Sequence, residues 1–152
     1  GYLESRTGND WSLNYTRITR HGRFLFPREW GVESLYTFMP RERSEGMGDV
    51  NALMLQHTRL LDKEKHLSLQ AAAGMYLLPS VDDAMLNKYT LPSYYQVNVR
   101  ARYKFTGFLQ GLHADLLYLY KGNLVSDLEP TPATFHNRVN MHHVSMVLDY
   151  YF

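Results

Sequence analysis

The stretch from Tyr95 to Phe105 admits few folds. Tyr95, Val97, Val99, Ala101, Tyr103 and Phe105 occupy alternate positions, and Gln96, Asn98, Arg100, Arg102 and Lys104 fill the gaps between them. Successive side chains of a β-strand point to opposite faces. This run therefore puts an apolar row on one face and three cations with two carboxamides on the other. Any partner of the apolar face has to run the whole length of the strand.

The same period of two recurs along the chain. Leu67, Leu69, Ala71, Ala73, Met75 and Leu77 alternate with Ser68, Gln70, Ala72, Gly74 and Tyr76, whose face is small and polar. Leu112, Ala114, Leu116, Tyr118 and Tyr120 lie opposite His113, Asp115, Leu117, Leu119 and Lys121. Trp11, Leu13 and Tyr15 begin a further strand, in which the alternation fails at Arg17 and Ile18. Tyr2 to Glu4 reads as the tail of a strand, 51–61 as a strand of ambiguous parity, and Leu35 to Phe38 as a possible short one. In the closing stretch Val144, Met146, Leu148, Tyr150 and Phe152 share a face, opposite Ser145, Val147, Asp149 and Tyr151. These patterns predict an all-β, antiparallel protein.

The connections alternate in length: short at 5–10, 62–65 and 107–111, long at 21–49, 79–92 and 122–137. Strands of about ten residues exceed the globular mean of about 5–6 and match the roughly 9–11 that cross a bilayer at a tilt. Short turns on one side and long loops on the other are the arrangement of outer-membrane barrels. The sequence thus predicts an antiparallel transmembrane β-barrel, with the short turns on the periplasmic rim.

Composition is compatible with this. Sixteen Lys and Arg against fifteen Asp and Glu give no charge excess suited to nucleic acid. There is no Cys, so neither a disulfide framework nor a thiolate metal site is open to the chain. No apolar run reaches the roughly 18 residues of a membrane helix. A mean hydropathy of -0.38 does not argue against a barrel, whose lipid-facing residues occupy alternate positions only. The opening Gly1-Tyr2-Leu3-Glu4 has no signal peptide, which leads us to expect either cleavage or the C-terminal part of a longer chain.

The terminal Tyr150-Tyr151-Phe152 resembles the closing strand of a bacterial outer-membrane barrel, which implies that Leu148, Tyr150 and Phe152 carry the signal read by the barrel assembly machinery. The runs Gly22-Arg23-Phe24-Leu25-Phe26-Pro27-Arg28-Glu29-Trp30-Gly31, Phe38-Met39-Pro40-Arg41-Glu42-Arg43-Ser44-Glu45-Gly46 and Phe135-His136-Asn137-Arg138-Val139-Asn140-Met141 resemble the OprD-type substrate-specific porins of Gram-negative bacteria, in their Bacteroidota-like branch. The resemblance implies a longer single-chain barrel with a basic ladder in its lumen. Residues 1–152 would be its C-terminal portion, about the last seven or eight strands, with no separate soluble domain.

The candidate site follows from the polar faces. In a barrel, Arg100, Arg102 and Lys104, with Gln96 and Asn98, would line the lumen and attract small polar or anionic solutes. Arg41, Glu42 and Arg43 in the longest loop would add mixed charge at a constriction if that loop folds inward, or lie outside if it does not. His142 and His143 are adjacent, so on a strand they face opposite ways and cannot chelate together. Ser145 near His143 lacks a Gly-x-Ser-x-Gly elbow. No catalytic residue, metal or cofactor is therefore expected. The expected surroundings are outer-membrane lipid, the assembly machinery and other outer-membrane proteins, and no nucleic acid. Two other readings stay open: the barrel end of an energy-coupled transporter, and a complete eight-stranded barrel with a structural or adhesive role.

Overall fold

The computed structural model describes residues 2–4, 8–26, 35–42, 44–62, 64, 66–125 and 139–152. Seven strands form one antiparallel sheet: β1 (Tyr2–Glu4), β2 (Asn9–Ile18), β3 (Val50–Leu60), β4 (Leu67–Leu77), β5 (Tyr94–Lys104), β6 (Leu112–Asn123) and β7 (Met141–Tyr150). A one-turn 3-10 helix at Gly107–Leu109 is the only helix among the described residues. The spatial order equals the chain order, so every neighbour is the next strand along. The three short connections therefore share one rim and the three long ones share the other, as the alternation in length predicts.

The sheet is open. β1 pairs only with β2, and β7 only with β6. A complete eight-stranded barrel needs the first and last strands to meet, and it needs Leu35 to Phe38 as a strand. Neither holds: residues 36 and 37 form a turn, and the Phe38 amide donates back to the Leu35 carbonyl. Other strand bounds move by a few residues. β2 starts at Asn9, inside the predicted turn, and β6 runs two residues into the predicted third loop.

Register turns the seven strands into rows. Leu13, Leu55, Ala73, Val97 and Tyr120 form one row, and Trp11, His57, Ala71, Val99, Tyr118 and Val144 the next. These rows lie on one face, and it is exposed: Met146 is 65% accessible, Leu13 53% and Val99 40%. Toward the long-loop rim the opposite face is covered, while Arg102, Lys104 and Asp149 near the other rim stay exposed. Its rows include Thr16–Ala52–Tyr76–Tyr94 and Asn14–Met54–Gly74–Gln96–Lys121. Here Gln96 is 0% accessible, Asn98 5% and Lys121 6%.

The cover comes from the long connections. Met39 and Met47 pack with Val50, Ala52, Met54, Ala72, Tyr76 and Tyr94 into a core at the long-loop end of the covered face. Gly74 makes room for it: a Cβ there would stand 2.7 Å from Met39 Sδ. The small face of β4 is thus a seat for the loop. Asn87, buried in the next long loop, donates to the carbonyls of Pro79, Ser80 and Leu91 and accepts from the Leu91 amide, and so satisfies that loop's backbone internally.

The failed alternation at the end of β2 also has a reason. Arg17 does lie on the exposed apolar face, at the last-but-one position of the strand, where its guanidinium reaches Asp49 at 2.5 Å. The strand keeps its pleat, and the charge is tolerated because it sits at the rim beside a carboxylate.

Candidate functional site

Residues 35–42 lie across the covered face and touch most of the strands beneath. Thr37 Oγ1 donates to Thr16 Oγ1 on β2 at 2.8 Å, and Tyr76 on β4 donates its hydroxyl to the Thr37 carbonyl at 2.6 Å. On β5 the Gln96 amide donates to the Pro40 carbonyl at 2.8 Å, and on β6 Lys121 Nζ stands 2.9 Å from Glu42 Oε1. Arg41 reaches toward His143 on β7, 3.5 Å from its Nε2. The described segment 35–42 of the longest connection therefore folds over the polar face instead of away from it.

Glu42 and Lys121 form the most deeply buried ion pair among the described residues, with side chains 2% and 8% accessible. Lys121 also stands over the Tyr94 ring, 4.4 Å from its centre, and Tyr94 stacks on Tyr76 at 4.8 Å. A buried pair holds together because each charge would be costly without the other. It pins the segment from the side opposite the Thr37 bonds.

Next along the covered face is the predicted basic ladder. Arg100, Arg102 and Lys104 do share this face, with Gln96 and Asn98 further along it. Asp115, directly across from Arg102 on β6, answers two of the cations. Arg100 grips it with Nε at 2.7 Å and 2.9 Å and with Nη2, and Arg102 Nε reaches it at 3.1 Å. Lys104 has no ion-pair partner among the described residues and falls in a row with His113 and Asp149. Sequence reading had Asp115 on the polar face but not its pairing. The signal was available: in antiparallel neighbours joined by a short turn, Arg102 and Asp115 fall opposite one another.

Between the segment and the ladder lies a pocket of about 30 Å³, lined by Phe38, Met39, Pro40, Gln56, Gln70, Ala72, Asn98, Arg100 and Leu117. Gln56, Gln70 and Asn98 come from three adjacent strands and supply carboxamides to its floor.

Of the remaining candidates, Arg43 lies outside the described residues. Leu148 and Tyr150 stand on the exposed face, and Phe152 packs edge-on against Tyr150 with ring centres 5.0 Å apart. His142 and His143 face opposite ways, as expected: His142 meets the Tyr118 hydroxyl at 2.9 Å, and His143 faces Arg41. Among the described residues no three His, Asp or Glu side chains converge as a metal site. No helix among them is long and apolar enough to cross a membrane.

No protein-family model, curated protein or solved structure matches this chain.

Proposed function

We propose that this chain forms part of an outer-membrane β-barrel channel, with the covered face toward the lumen and the exposed face toward lipid. One observation carries the reading: a whole face of the sheet is apolar and exposed, while the other face buries charged and carboxamide side chains beside its core. Leu, Val, Met and Tyr stand exposed in continuous rows, while Gln96, Asn98, Lys121 and Glu42 are buried. An exposed apolar surface of this extent marks a partner or a membrane. Strand length favours the membrane. Eleven residues at about 3.3 Å each, tilted by about 35–45°, rise about 25–30 Å, close to the apolar band of about 25 Å on such barrels. Aromatic rings flank the rows, with Tyr15 and Tyr95 toward the long-loop rim and Tyr103, Phe105, Tyr150 and Phe152 toward the other. Rings of this kind suit the headgroup level. The edges of β1 and β7 would pair with further strands on closure, because unpaired backbone groups are costly in lipid.

In this reading residues 35–42 narrow the lumen, and small polar or anionic solutes diffuse passively past Lys104, Arg102 and Arg100. Asp115 offsets part of the ladder's charge, so the anion preference is modest. The chain has no native cysteine, so single substitutions report cleanly. In vesicles, Val99→Cys should resist a membrane-impermeant maleimide, and Gln70→Cys should react from the lumen. Equal labelling of both would overturn the orientation. Stepwise conductance in planar bilayers is the expected sign of a channel, and a sealed bilayer would overturn that part.

A further inference from the structure

The pocket beneath residues 38–40 has a chemistry distinct from that of the ladder beside it. Its floor carries the side-chain amides of Gln56, Gln70 and Asn98. Neither Gln56 nor Gln70 forms a side-chain hydrogen bond among the described residues. Asn98 only accepts, taking one from Gln96 Nε2 at 3.0 Å. Arg100 contributes as well, but Asp115 holds its Nε and Nη2, so its charge is answered and Nη1 alone stays open. The roof is apolar: Phe38, Met39 and Pro40. It is also fixed in place, by Gln96 to the Pro40 carbonyl, by Tyr76 to the Thr37 carbonyl and by Lys121 to Glu42.

We infer that this pocket is a subsite for a neutral, hydroxyl-rich solute, the edge of a sugar ring, resting on the lumen reading above. A carboxamide offers two donors and a carbonyl acceptor. A hydroxyl both donates and accepts, so a row of carboxamides matches a row of hydroxyls. A carboxylate only accepts, so it can use the amide N–H groups and Arg100 Nη1 but gives no donor to the three amide oxygens. The apolar roof suits the C–H face of a ring. A volume of about 30 Å³ takes one hydroxyl-bearing edge and leaves the rest of the solute in the lumen. The roof stands preformed, held by Gln96, Tyr76 and Lys121, which lowers the ordering cost of binding.

The test uses the full-length barrel protein folded in detergent, with maltose as the neutral probe and glutarate as the acidic one, both by titration calorimetry. Gln56→Leu and Gln70→Leu are the variants, because both residues are only part-buried and neither bonds to the fold. Maltose should bind saturably, and each variant should weaken it about three- to tenfold, the loss of one or two hydrogen bonds. Glutarate should bind more weakly than maltose at the same salt. No maltose heat, an unchanged maltose affinity in both variants, or tighter binding of glutarate would each overturn the assignment. Calorimetry needs no conductance, so a Gln70-dependent maltose site in a non-conducting protein would leave the subsite standing and remove the channel. Steady conductance without maltose binding would do the reverse.

Discussion

Val99→Arg separates a lipid-facing sheet from a water-facing one. Val99 is the midpoint of β5, and its row runs from Trp11 through His57, Ala71 and Tyr118 to Val144. The residue is 40% accessible, so an arginine meets no steric barrier. On a solvated sheet the change would shift stability by about 0.5 kcal/mol or less. At a bilayer midplane an arginine costs about 2–4 kcal/mol, roughly 30- to 1,000-fold in the folding equilibrium. Tyr103→Arg is the matched control. Tyr103 shares the face but lies next to the end of the strand, where the cost falls to about 0–1 kcal/mol. The assay is urea-dependent folding into phospholipid vesicles, read by the heat-sensitive gel mobility of folded barrels. Val99→Arg should lose several times more stability than Tyr103→Arg. Equal midpoints for both variants and the wild type would refute the lipid-facing assignment.

Lys121→Met takes away the cation 2.9 Å from the buried Glu42 carboxylate and should destabilise the fold, by at most about 3–5 kcal/mol. Adding Glu42→Gln should recover part of that loss, and proteolysis near Arg41 should rise in the single variant only. Gly74→Leu fills the seat of Met39 and should release residues 35–42, seen as a larger single-channel conductance. Asp115→Asn should raise anion preference in reversal-potential measurements, and replacing Arg100, Arg102 and Lys104 together by Gln should lower it. Both shifts should shrink as salt rises, since screening acts over roughly 8–10 Å at moderate ionic strength. In the turn before β4, Asp62 accepts from the amides of Leu67 and His66 at 2.8 Å each, and the Leu67 bond foremost holds its carboxyl below the usual value of 3.8. A depressed carboxyl stabilises the fold above its unfolded pKa, and the contribution is lost as pH falls through the folded value. Exchange protection of the Leu67 amide should therefore drop below about pH 4 in the wild type and stay flat in Asp62→Asn.

The sheet was legible because its rule is short-ranged. Alternation over Tyr95 to Phe105 and Leu67 to Leu77 states which residues share a face, and connection length states which strands share a rim. Residues 21–49 were opaque for the converse reason. Their contacts join Thr37 to Thr16, Pro40 to Gln96 and Glu42 to Lys121, pairings that no local period encodes. The small face of β4 was visible in Ala72 and Gly74, yet nothing in the sequence says that Met39 fills it. Alternation alone shows Arg100, Arg102 and Lys104 as a ladder, and only register with β6 brings Asp115 across from Arg102 to answer two of them.

The segregation of short and long connections between the two rims also bears on the order of assembly. The first residues to pair across the short connections are close in sequence: Glu4 with Asp10, Leu60 with Ser68 and Lys104 with His113. Across the long ones they are Ile18 with Val50, Tyr76 with Tyr94 and Lys121 with Met141. Loop-closure entropy grows with the logarithm of length, by about 0.6 kcal/mol for each doubling, so β3–β4 and β5–β6 close as hairpins ahead of the joins between them. The join of β2 to β3 pays the largest such penalty, and it also carries the segment that ends across the polar face. By loop-closure entropy alone, residues 35–42 would be seated by the costliest closure, after the hairpins beneath them.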